Sequence, residues 1–217
     1  GYMYFPTGDT TQRGRGRGLI GGGSNPTNTN SIEFINIQSQ GNSIDFGDLV
    51  VAGQNAGASS STRALFGMGG QASPGGKQNV IQFVEIATQG NAVDFGDRTI
   101  AKNGPGGLAN QTRAVFAGGG APVPQSDVMD FVTIASIGNA TDFGNMTSGN
   151  KNPACTASST RGIIVHGGDP LTNVIDFITI ATAGNAQDFG DTTVAAEGVI
   201  AASSTTRGII GGGHTSP

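Results

Sequence analysis

The chain is poor in the residues that most often do chemistry or staple a small fold together. Among its 217 residues it has one cysteine, no tryptophan, two histidines and two tyrosines. A lone Cys155 excludes an internal disulfide, so packing alone must hold the fold. Charged residues make up only 12 %, well below what the surface of a soluble helical protein carries. The net charge is −4, and the one basic run (Arg13, Arg15 and Arg17) is short. Nucleic acid is therefore a poor partner, because phosphate binding needs clustered Lys and Arg. The basic run alternates with glycine and reads as a flexible lead-in or a strand edge. No apolar stretch is long enough to cross a bilayer as a helix. The chain begins at Gly1 with no signal-peptide pattern, which fits either processing or a piece of a longer polypeptide.

What the chain has instead is 38 glycines and a repeat. Three markers recur in fixed order. The first is an Arg, an apolar pair and a Gly cluster, starting at Arg17, Arg63, Arg113, Arg161 and Arg207, at intervals of 46, 50, 48 and 46 residues. The second is an alternating apolar run: SIEFINI from Ser31, VIQFVEI from Val80, VMDFVTI from Val128 and VIDFITI from Val174. The third is a Gly-Asn turn leading into Asp-Phe-Gly at Asp45, Asp94, Asp142 and Asp188. Independent markers that share one period define a repeat of roughly 48 residues.

Period-two alternation makes the second marker a strand. It places Phe34, Phe83, Phe131 and Phe177 in equivalent core positions, joined by Phe46, Phe95, Phe143 and Phe189 of the third marker. The Arg segments read as short buried strands whose glycines allow close backbone approach. With the Ser/Thr-rich lead-in to each Arg, a unit holds three or four strands. The expected organisation is a lead-in over 1–16 and one repeat domain over 17–217. The expected fold is all-β, a β-propeller of four to five blades; a β-solenoid or a strand-exchanged fibre is the alternative. Five Arg strands against four copies of the other markers pose a closure problem. One blade is incomplete, or chain lies outside these residues, or a strand is donated to a neighbouring subunit.

An apolar strand ending in Gly-Gly, a variable loop and an apolar-x-aromatic strand together resemble the Kelch blade, although the Trp usual there is absent. In finer wording, TRG-apolar-apolar-GGG and N-A-x-D-F-G-D are similar to repeats of virion structural proteins of tailed bacteriophages, notably those of aquatic bacteria and cyanobacteria. That resemblance covers nearly the whole chain from Arg17 to Gly213. It implies a non-enzymatic appendage or tail-fibre protein, in a virion or extracellular, with homo-oligomeric contacts and a host glycan or receptor as partner. A secreted carbohydrate-binding propeller, an adhesin or a filament subunit is the alternative. Copper radical oxidases share the Kelch architecture but need two Tyr, two His and a Tyr-linked Cys. Here Tyr2 and Tyr4 precede the repeats, and His166 and His214 stand far apart in sequence.

The Asp-Phe-Gly aspartates form pairs three residues apart, such as Asp45 with Asp48. The expectation is that they cap turns and pair with the repeat arginines. A Ca²⁺ site in each copy is the weaker reading, because two carboxylates fall short of the six to eight oxygens calcium takes. No catalytic residue, cofactor site or metal site is expected, and Cys155 reads as a small core filler. The copies vary most in the loops after the Gly clusters. Asn25, Asn28, Lys77, Gln125 and Asp169 are the candidate recognition residues there.

Overall fold

The alternating runs and the Asp-Phe-Gly segments pair with each other in every repeat, antiparallel and with one residue to spare. The computed structural model describes residues 16–23, 27–70, 76–120 and 124–215. Among them it places 17 strands in five small antiparallel sheets, with no helix. The first sheet is β1 (Arg17–Gly21), β2 (Ser31–Asn36) and β3 (Ile44–Asp48). The second is β4 (Gln54–Ser59), β5 (Arg63–Gly70), β6 (Val80–Glu85) and β7 (Val93–Asp97). The third is β8 (Gly106–Ala109), β9 (Arg113–Gly119), β10 (Ser126–Thr133) and β11 (Thr141–Asn145). The fourth is β12 (Ala154–Ala157), β13 (Arg161–Val165), β14 (Val174–Thr179) and β15 (Gln187–Asp191). The fifth has only β16 (Glu197–Ser203) and β17 (Gly208–His214). The all-β expectation holds.

Sheet boundaries differ from the units read off the sequence. The Ser/Thr-rich segment before each Arg joins the sheet of that Arg, not the sheet of the repeat it follows. The cause is a tight turn. A side-chain oxygen of Ser60, Asn110, Ser158 or Ser204 accepts the backbone N–H of the Arg three residues on, which folds the two strands back on each other. The repeat phase therefore runs inner strand, Arg strand, Phe strand, Asp-Phe-Gly strand. In that phase the first sheet lacks an inner strand among the described residues, and the fifth lacks its outer two.

The spare residue is the third-marker phenylalanine. Ile81 pairs with Gly96 and Gln82 with Asp94, so Phe95 is bulged out of the ladder. The same step recurs at Phe46, Phe143 and Phe189. The glycine after each bulge has positive φ, from +135° to +148°, which only glycine adopts cheaply. The bulged ring turns edge-on to the Phe of the neighbouring strand, with centroids 5.6–6.1 Å apart in all four copies, the geometry aromatic quadrupoles favour.

The sheets pack face to face, so the hydrophobic core lies in layers between them. Phe46, Ile32 and Leu49 of the first repeat meet Phe66, Val84 and Ala92 of the second. Phe95, Ile81 and Leu65 meet Phe116 and Ile134. Phe143, Met129 and Val115 meet Ile164, Ile178 and Ala186. A sheet covered on both faces buries residues of both parities, which is why Gln82, Asp130 and Asp176 are buried beside the phenylalanines. The edge of β1 that no described strand pairs with borders a cavity of about 390 Å³ that Leu65, Leu108 and Ser203 also line.

Candidate functional site

The side chains singled out by the repeat converge on the junctions between sheets, and three junctions are built alike. Four of the five repeat arginines lie over the Phe of their own sheet: Arg17 over Phe34 at 4.7 Å, Arg63 over Phe83 at 4.7 Å, Arg113 over Phe131 at 4.4 Å and Arg161 over Phe177 at 4.8 Å. The first three also donate from Nη1 into the next sheet, to the carbonyls of Ile86, Ile134 and Ile180 at 2.8, 2.9 and 3.0 Å. The expected pairing with Asp45, Asp94, Asp142 and Asp188 is corrected. No repeat arginine bonds those carboxylates among the described residues. Register explains it: the Phe strand lies between the Arg strand and the Asp-Phe-Gly strand. Arg63 instead meets Glu85, its cross-strand partner, at 2.6 Å. Arg207 has no Phe strand in its sheet to lie on.

The Asp-Phe-Gly segment is gripped through its backbone. The Gly-Asn turn of the next repeat supplies three hydrogen bonds: Gly90 N–H to the Phe46 carbonyl, Asp48 N–H to Asn91 Oδ1, and Ala92 N–H to the Asp48 carbonyl. Gly138, Asn139 and Ala140 repeat this on Phe95 and Asp97, and Gly184, Asn185 and Ala186 on Phe143 and Asn145. A β-carbon on Gly96 would meet the Gly138 carbonyl oxygen at 2.5 Å, and Gly47 and Gly144 are as closely covered. The capping role of the aspartates appears in one copy, where Asp188 Oδ1 accepts the Gly190 N–H at 2.9 Å. The four carboxylates are otherwise exposed, and among the described residues no three His, Cys, Asp or Glu side chains gather to hold a metal ion.

A third clamp was not legible in the sequence. In the second, third and fourth repeats the polar residue before the core Phe accepts from the loop after the preceding Asp-Phe-Gly strand. Gln82 takes the Val50 and Val51 N–H, Asp130 takes the Thr99 N–H and hydroxyl, and Asp176 takes the same pair from Thr147. Asp130 also pairs with Arg98 at 3.1 Å, both side chains without solvent exposure. In the fourth repeat His166 Nε2 lies 2.8 Å from Asp176, and Ser148 Oγ lies 3.3 Å from His166 Nδ1. Those are the residue types of a hydrolytic triad. Asp176, however, occupies the position of Gln82 and Asp130 and holds Thr147 with both oxygens, so the junction accounts for it. His166 stands where the second sheet has buried Met68.

Burial alone would raise the Asp176 carboxyl, but hydrogen bonds from His166 and from the Thr147 backbone and hydroxyl outweigh it, and its pKa is lowered. A depressed carboxylate stabilises the fold above its unfolded pKa of about 3.9 and stops doing so as pH falls through the folded value. The stability lead of the native chain over Asp176→Asn should therefore be full above about pH 4 and shrink below it, as thermal melts between pH 2 and 6 would show. A lead that is flat across that range removes the clamp.

Cys155 is half-buried with its sulfur packed against Pro153 and Gly106, and the desolvation of that sulfur pushes the thiol up to about 12. The folded chain should resist an aromatic disulfide reagent at pH 8 and react once denatured, since the thiolate is the reactive form. Rapid labelling of the native chain would contradict this.

Of the candidate loop residues, Gln125 and Asp169 come together, Nε2 to Oδ2 at 2.8 Å, joining the loops of the third and fourth repeats. Asn28 and Lys77 are half-buried beside β2 and β6. Asn25, with Tyr2, Tyr4, Arg13 and Arg15, lies outside the described residues.

No family model matches the chain, and no curated protein does. Among solved structures the fold is similar to one described as the structure of YjhT, with a TM-score of 0.67 at 9 % identity. The match covers 86 % of this chain and 66 % of that one. At that identity the likeness is one of fold alone: a repeated, antiparallel, all-β array of sheets.

Proposed function

We propose that the chain is a non-enzymatic structural subunit of a bacteriophage appendage, a propeller-like array of Kelch-type blades that serves as a rigid platform. The observation that carries the reading is the junction. Backbone hydrogen bonds, an arginine and a buried polar clamp recur at three successive sheet boundaries, so the first four sheets are locked each to the next by the same parts. Such repeated nearest-neighbour interfaces make stiff, stable arrays whose loops are free to vary. The loops after the Gly clusters, tied at Gln125–Asp169, would touch a host glycan, a receptor or a neighbouring subunit. The resemblance of the repeats to phage virion proteins supports a location in the virion or outside the cell. Antibody raised to the folded chain should decorate one defined structure on purified phage particles, seen by immunogold electron microscopy. Failure to label particles, together with strong binding to a glycan array, would replace this reading with that of a free carbohydrate-binding protein.

A further inference from the structure

The first and fourth sheets of the array carry the unmatched halves of the junction that the sheets between them share. At the trailing end, Arg161 lies over Phe177 and, among the described residues, lacks the onward carbonyl bond that Arg17, Arg63 and Arg113 make. Phe189 is 53 % exposed, whereas Phe46, Phe95 and Phe143 are at most 2 % exposed. A β-carbon on Gly190 would meet nothing within 4 Å, although its three equivalents are pressed against the next Gly-Asn turn. Thr193, the equivalent of Thr99 and Thr147, is exposed and meets no clamp.

At the leading end every counterpart is present and equally idle. Gly41, Asn42 and Ser43 match Gly90, Asn91 and Ala92, and all three are exposed. Glu33 matches Gln82 and Asp130 and is exposed too. Ile37 matches Ile86, Ile134 and Ile180; it is 69 % exposed where they are at most 6 %.

We infer that these ends dock head to tail between two copies of the chain, the first sheet of one copy completing the fifth sheet of another. This rests on the reading of the chain as an assembling subunit and names the surface. In the joint, Arg161 donates to the Ile37 carbonyl, the Gly41–Ser43 turn grips Phe189 and Asp191, and Glu33 accepts from Thr193. The partner is a second copy because the joint continues an interface the chain already builds three times within itself, and one chain carries both halves. The strands agree. β16 keeps the inner position beside β12, and β2 and β3 of the incoming copy fill the two empty outer places. Its β1 then replaces β17. From Arg17 to Gly23 and from Arg207 to Gly213 the sequences differ only at Leu19 and Ile209, so β1 can take the register of β17. β17 is also a poorly buried occupant: Ile209 is 66 % exposed, while its equivalents Leu65 and Val115 are fully buried. The result is an open-ended, heterologous chain of subunits of the kind strand exchange produces.

The test uses two variants of the 217-residue chain, each changed only at an exposed residue. Ser43→Arg blocks the head by bulk where Ala92 and Ala186 are buried, and Thr193→Glu blocks the tail by setting a carboxylate against Glu33. Wild type, refolded from denaturant so that β17 can exchange, should form concentration-dependent oligomers in sedimentation velocity. Each variant alone should stay monomeric with an unchanged melting temperature, and their equimolar mixture should give a capped heterodimer. Amides of Gly208–His214 should exchange at least tenfold faster in the assembly, because β17 is displaced. A wild type that stays monomeric, including one that closes on itself, a variant that assembles as well as wild type, or a mixture that does not pair would each overturn the inference. Assembly in solution without particle labelling would remove only the virion reading, and labelled particles built on a monomeric chain would remove only this one.

Discussion

Asp130→Ala lowers stability by about 3–5 kcal/mol, because it leaves Arg98 charged and alone in the core. Arg98 and Asp130 have no exposed side-chain surface. Among the described residues Arg98 Nη1 and Nη2 have no hydrogen-bond partner, so Asp130 is the one acceptor they offer its guanidinium. The same carboxylate holds the Thr99 N–H and hydroxyl, and removing it orphans a backbone donor as well, at a further cost of about 1–3 kcal/mol if water does not enter. The chain contains its own control. The places of Arg98 and Asp130 are filled by Leu49 and Gln82 one repeat earlier, where Gln82 still accepts the loop N–H groups and Leu49 is buried. Arg98→Leu/Asp130→Gln copies that solution and should return to within about 1 kcal/mol of wild type or exceed it, since apolar replacements of buried ion pairs are often neutral or stabilising. Urea midpoints compared at constant m-value would decide it. A double variant as damaged as Asp130→Ala would mean that the ion pair, and not the loop clamp, holds this junction.

The contrast between those two pairs shows where the sequence stops being readable. The period, the two phenylalanines per repeat and the glycine after each bulge are visible because each fixes a local backbone or a core face. Arg63 and Asp94 share a period too, yet periodicity does not say which strands neighbour each other, and a Phe strand separates them. Gln82, Asp130 and Asp176 sit at the polar parity of an alternating run and read as outward-facing. In a sheet packed on both faces, outward is the neighbouring sheet. The surplus Arg strand was legible as a count. Its meaning depends on sheet phase, which is set by the Ser60-type turns and leaves the first sheet short inside and the fifth short outside.

Gly96→Ala and Gly190→Ala should separate backbone strain from docking. Both glycines follow a bulged Phe at nearly the same φ, +140° and +135°, so an alanine strains both alike, by about 1–3 kcal/mol. Only Gly96 is covered. Its new β-carbon would stand 2.5 Å from the Gly138 carbonyl oxygen, against backbone that cannot rotate away, while the three Gly-Asn hydrogen bonds hold that turn in place. Overpacking of this kind adds about 1–3 kcal/mol. Gly96→Ala should therefore melt well below Gly190→Ala, whose added methyl meets open space. Equal losses at the two sites in calorimetry would show that strain alone matters and that the turn yields freely. In the assembled state the order of effects on association reverses. Gly190 becomes the covered glycine of the joint, and its alanine variant should still fold as a monomer, weakened only by the backbone strain, while failing to add the next copy. One substitution that costs the monomer backbone strain alone and blocks growth of the chain follows from a junction built three times within the fold and a fourth time between copies.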